Sequence, residues 1–165
     1  MDIKTPKGRQ TLADEAKAAS LFSTVYPQYS YCETPKDAPA TVDAILVQDG
    51  EIRAVVETKC RYDMTFVQLL VEREAQYLIS FRKILTGQVV SKHLGVPFLI
   101  FVYLVPQDIL IVTKITDDSG EIVCKMQVTE RLTQRTVNGG TIRKTVALIG
   151  LENSRVLRRT THERV

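Results

Sequence analysis

The segment Thr41–Lys59, TVDAILVQDGEIRAVVETK, constrains the fold more than any other part of the chain. Two apolar runs flank the turn dipeptide Asp49-Gly50, so residues 41–48 and 51–59 read as the paired strands of a β-hairpin. Almost every strand position is apolar, as in central strands buried on both faces. Asp43, Glu57 and Lys59 break that pattern. Burying unpaired charge costs several kcal/mol, so these three need partners or a metal ion. Glu57 and Lys59 are two positions apart on one strand and share a face.

The turn decides whether Asp43 joins them. A strict two-residue turn pairs Gln48 with Glu51 and sets Asp43 opposite Val56, on the wrong face. A three-residue loop, Gln48-Asp49-Gly50, pairs Val47 with Glu51 and sets Asp43 opposite Val55. Glu57 is then its diagonal neighbour on the same face. Gly50 suits the left-handed position of such a loop, and the chemistry favours it. Two carboxylates and an amine on one sheet face make a workable phosphodiesterase site. Hard oxygens bind Mg²⁺, which polarises a phosphate and lowers the pKa of bound water, and an ammonium can orient that water.

The surroundings of the hairpin suggest the architecture. Thr11 reads as the N-cap of a helix to about Ser23, with Asp14 at the capping-box position. A short strand around Tyr29–Cys32 follows. A helical turn is expected near Phe66–Val71, and Gln76–Ser80 reads as either extended or the start of the next helix. Phe81 to Leu94 is helical and ends at Gly95. Strands are expected at Pro97–Leu104, Ile109–Thr116, Glu121–Thr129 and Ile142–Leu151, with Asn138-Gly139-Gly140 as a turn. The order predicts an α+β or mixed α/β domain whose central sheet is flanked by helices. At 165 residues, one domain (1–165) is expected, with a basic lead at 1–9 and a basic tail at 155–165.

Other classes find little support. The apolar run Val96–Val105 is too short to span a bilayer and contains Pro97, and the start Met1-Asp2-Ile3-Lys4 lacks an apolar signal core. The 3 cysteines, Cys32, Cys60 and Cys124, are widely spaced, which suits a reducing compartment and a cytoplasmic protein. Cys60 adjoins Lys59 but is expected on the other face, as a buried structural thiol. His93 and His162 are too few and too far apart for a metal cluster. No Walker loop, GxGxxG or paired CxxC is present. A net charge of +3 says little by itself, and solvated tails account for the terminal charge clusters.

Asp43, followed after a turn by Glu57-Thr58-Lys59, resembles the PD-(D/E)XK nuclease superfamily with its restriction-endonuclease-like fold. Residues 40–104 fit that core, although Val42 stands where the name-giving pattern has proline. The stretches VETKCR, YLISFRK and LGVPFLIFVYL look like small phage-type members. The resemblance implies that Asp43 and Glu57 ligate Mg²⁺, with Mn²⁺ able to substitute, helped by the carbonyl of Thr58. It implies that Lys59 is the catalytic lysine. It also makes Glu15 the counterpart of a first-helix glutamate, and Gln76 that of a helical glutamine, both used by some members. The expected activity is Mg²⁺-dependent DNA hydrolysis, by an endonuclease with structure-selective or weak sequence preference, in the host cytoplasm if the chain is phage-encoded. Lys83, Arg61 and Arg82 are expected to contact the DNA backbone, and a homodimer would offer two sites for two strands. Two rival readings are a nuclease-fold DNA-binding protein without activity, and an unrelated α+β protein with a chance motif.

Overall fold

In the computed structural model, residues 5–35, 40–134 and 140–159 are described. The N-terminal ends of the basic lead, Arg164 and His162 of the tail, and Asn138-Gly139 of the expected turn lie outside them. Helix α1 (Pro6–Val25) begins earlier than the sequence suggests. Thr5 is its N-cap: Thr5 Oγ1 accepts from the Gly8 N–H at 3.0 Å, and Pro6 occupies the first helical turn, where its missing N–H costs nothing. Thr11 and Asp14 are therefore interior residues and not a cap. Both are buried, Thr11 accepting from the Tyr62 hydroxyl at 3.3 Å and Asp14 from Gln10 and Lys17 at 2.9 and 2.7 Å.

The chain continues through β1 (Ser30–Glu33), β2 (Ala44–Gln48) and β3 (Glu51–Arg61). A single π-helical turn (Gln68–Glu72) leads to β4 (Gln76–Ser80), which runs directly into α2 (Phe81–Leu94). The remaining strands are β5 (Phe98–Leu104), β6 (Ile109–Lys114), β7 (Met126–Gln134), β8 (Thr141–Gly150) and β9 (Arg155–Arg158). Six of them form a sheet in the order β1-β2-β3-β5-β6-β9, in which β3 and β5 are parallel and the other neighbours antiparallel. A second sheet, β4-β8-β7, is antiparallel.

Side-chain alternation on β3 and β5 splits the core into two layers. Ala54, Val56, Phe101 and Tyr103 face α1, packing with Ala18, Leu21 and Phe22. Val55, Ile100, Val102 and Leu104 face the other way, packing with Ile84 of α2 and with Tyr77, Ile79, Ala147 and Ile149 of the second sheet. This is a mixed sheet between helices, the restriction-endonuclease-like arrangement.

Three differences from expectation have local causes. Residues 155–158 are not a solvated tail but the edge strand β9, paired with β6, because Leu157 is buried among the α1-side residues. The strand expected from Glu121 begins only at Met126. Upstream of it, the Asp117 carboxylate accepts from the N–H groups of Ser119 and Glu121, each at 3.0 Å, drawing that backbone into a turn. Gln76 is on β4, opposite Gly150, and not on a helix.

Candidate active site

The hairpin carrying Asp43 and Glu57 takes the two-residue turn and not the three-residue loop. Asp49 (φ 53°) and Gly50 (φ 77°) are both left-handed, and Gln48 pairs with Glu51. An Asp-Gly turn of this kind matches the twist of the strands it joins, which is why it prevails over the longer loop. Left regular, that turn would send Asp43 to the wrong face. It does not, because Val47 pairs with Ile52 while Leu46 pairs with Ala54, leaving Arg53 as the extra residue of a β-bulge. Beyond the bulge Ala44 pairs with Val56, and the next position along sets Asp43 across from Glu57, closer than the diagonal neighbour expected.

Asp43 lies just past the end of β2. Its N–H donates to the Val56 carbonyl at 2.9 Å, and its Oδ2 accepts from the Thr58 N–H at 2.8 Å. The carboxylate thus takes the place of a ladder acceptor where the strand stops. Glu57 is 1% exposed and makes two ion pairs. Lys59 Nζ lies 2.6 Å from its Oε1, and Lys83 Nζ lies 3.0 and 3.1 Å from its two oxygens. The Lys59 ammonium also donates to the Thr58 carbonyl at 3.0 Å and stands 3.8 Å from Asp43 Oδ2. Oxygens of Glu57, Thr58 and Asp43 therefore converge on one cation.

Lys83 reaches this point because α2 packs closely on β5. Gly87, one turn further along the same helix face, lies against the Phe98 ring, which would overlap any Cβ there. A cleft of about 560 Å³ beside the site is lined by Ala40, Thr41, Lys59, Ser80, Arg82, Lys83 and Thr86. Arg82 and Lys83 thus share the cleft of Lys59. Arg61 does not: it is stacked over Tyr77, 4.9 Å from the ring centroid, and lines a separate pocket.

The opposite face of β3 belongs to α1. There the Tyr31 hydroxyl and Thr58 Oγ1 hydrogen-bond at 3.0 Å. Burial pushes the Tyr31 phenol well above its usual pKa, and the charges of Asp43 and Glu15 add to the rise. Glu15 is half-buried on α1 and acts electrostatically on Tyr31 and on the Cys60 thiol. Cys60, buried on this side, is pushed up to about 12, chiefly by burial, which leaves it an unreactive thiol. Tyr31, Ser80 and Thr86 were not expected near the site; an edge-strand tyrosine and two hydroxyls on or beside a helix carry no local pattern that marks them.

Among the described residues, no group of three His, Cys, Asp or Glu side chains is placed to hold a metal. The donors that do converge are two carboxylates and a main-chain carbonyl. All are hard oxygens, which suit a divalent cation of the Mg²⁺ type better than a soft metal.

A mixed sheet between helices, with Asp43 and Glu57-Thr58-Lys59 meeting on adjacent strands, defines the PD-(D/E)XK class of nuclease fold. The family model described as "Phage putative PDDEXK endonuclease" matches residues 7–135, and the chain belongs to that family. No curated protein and no solved structure gives a significant match. No helix among the described residues is long and apolar enough to cross a membrane.

Proposed function

We propose that the chain is an active, divalent-metal-dependent DNA endonuclease. The observation that carries this reading is the convergence of Glu57 Oε1, the Thr58 carbonyl and Asp43 Oδ2 at 2.6, 3.0 and 3.8 Å from the single ammonium of Lys59. Oxygens that gather around one cation in this way suit a metal ion, and burial of Glu57 strengthens its demand for positive charge. Asp43, Glu57 and the Thr58 carbonyl would hold Mg²⁺, or Mn²⁺ in its place, and the metal would supply Lewis-acid polarisation of the scissile phosphate and a more acidic water.

The chain's own groups do the rest. Lys59, hydrogen-bonded within the oxygen cluster, orients water or stabilises the charge that develops on the phosphate. Lys83 and Arg82 line the cleft and neutralise flanking phosphates, contacts that position DNA without reading its sequence. Glu15 is given an indirect part, through Tyr31 and the Thr58 hydroxyl behind the catalytic strand.

Backbone contacts of this kind favour weak sequence preference or selection by DNA structure. The test is incubation with plasmid, linear, single-stranded and branched DNA, with and without Mg²⁺. Cleavage that requires the metal and is indifferent to duplex sequence is expected. DNA binding with no cleavage in Mg²⁺ or Mn²⁺ would select the inactive binding protein instead. Cutting at one duplex sequence would point to a restriction-type enzyme.

A further inference from the structure

A second pocket, of about 510 Å³, lies further along β3 from the candidate active site. It is lined by three arginines from distant parts of the chain: Arg61 at the end of β3, Arg73 after the π-helical turn, and Arg131 on β7. Arg61 is two residues beyond Lys59 on the same strand face, about 7 Å further along. A DNA strand lying across Glu57 and Lys59 therefore reaches the pocket within a few nucleotides. Arg73 and Arg131 are exposed, and neither has an ion-pair partner among the described residues, although Glu72 and Glu74 line the same pocket.

Tyr77 forms the buried floor on which Arg61 rests. It lines the pocket and is 1% exposed. Burial raises the Tyr77 phenol's pKa, and the Arg61 guanidinium over the ring works against that rise. The segment that shapes the rim is itself unusual: a π-helical turn, then Glu74 and Ala75 both left-handed at φ 50° and 53°. Such conformations need support from their surroundings and cluster at functional sites.

The lining is more than a phosphate needs. Leu78, Leu132 and Met64 provide apolar surface, and Glu72, Glu74 and Gln76 provide acceptors and a donor for a base edge. A base still paired in a duplex cannot enter a pocket, whereas an unpaired one can be splayed out and packed against side chains. We propose that this pocket takes an unpaired nucleotide of the DNA strand that crosses the active site, its phosphate held by Arg61, Arg73 and Arg131. The inference rests on the nuclease reading and narrows its substrate to DNA with a single-stranded portion, such as a tail or a fork.

Fluorescence anisotropy in EDTA separates binding from cleavage. The probes are a blunt duplex and the same duplex with a single-stranded tail. The wild type is expected to bind the tailed DNA about tenfold more tightly. In the double variant Arg73→Ala/Arg131→Ala that advantage disappears, and the salt slope for tailed DNA falls by about 0.7, the one single-strand phosphate these arginines hold. Tail preference that survives the double variant, or its absence from the wild type, overturns the proposal. Neither result touches the nuclease reading if blunt duplex is still cut in Mg²⁺. A wild type that neither binds nor cuts any DNA overturns both.

Discussion

Glu57 is held by two ammonium groups, and the two are not equivalent. Lys59 shares its charge with the Thr58 carbonyl and Asp43, whereas Lys83 reaches in from α2 and lines the open cleft. If Lys83 also meets a phosphate, Lys83→Ala should weaken DNA binding and lower the salt slope by about one contact. A slope equal to that of the wild type would confine Lys83 to its ion pair with Glu57. Asp14 gives a test of the fold that is separate from the site. Burial alone would push its carboxyl up, but hydrogen bonds from Lys17 and Gln10 outweigh burial and hold it below the usual 3.8. A depressed folded-state pKa contributes stability that is present above the unfolded value and lost as pH falls through the folded one. Asp14→Asn should therefore destabilise the protein by about 1–2 kcal/mol at neutral pH. The difference from wild type should shrink below pH 3.8. Denaturation midpoints at neutral and acid pH check this, and a difference that stays constant into acid would contradict it.

The hairpin shows both what an element reveals in sequence and what it hides. The strands, the turn residues and the shared face of Glu57 and Lys59 follow from alternation and from Asp49-Gly50. The bulge does not, because Arg53 carries no signal of being the residue without a partner; only pairing with β2 makes it one. An experiment follows from that. Deleting Arg53 removes the extra residue and leaves Asp43 across from Glu57, so cleavage should persist at close to the wild-type rate. Loss of cleavage on deleting Arg53 in a folded protein would contradict this account of the register. The end of α2 is readable in the sequence, at the left-handed Gly95 with φ 64°, whereas its start is left open because Gln76–Ser80 reads equally as strand or helix. The demand for glycine at position 87 is not readable, because it comes from Phe98 on the neighbouring strand. Gly87→Ala should cost about 1–3 kcal/mol, lower the melting temperature, and loosen Lys83 from Glu57. An unchanged melting temperature would show that α2 can draw back freely.

At the scale of the molecule, the parts placed by long-range pairing were the ones the sequence concealed. Residues 155–158 read as a basic tail because only one of them, Leu157, is buried against the sheet. The arginine pocket joins β3, the π-helical turn and β7, three segments with no shared local pattern. The candidate site was readable because its residues are close in sequence and violate a strong apolar background. Its central claim is that Asp43 and Glu57 together hold a metal that Lys59 cannot replace. The most direct test is the initial rate of supercoiled plasmid cleavage at saturating Mg²⁺ for the wild type, Asp43→Ala and Glu57→Ala, each shown to be folded. Metal-dependent cleavage by the wild type, with both variants inactive yet still binding DNA without metal, is the expected result. Cleavage by either folded variant at the wild-type rate would contradict the account.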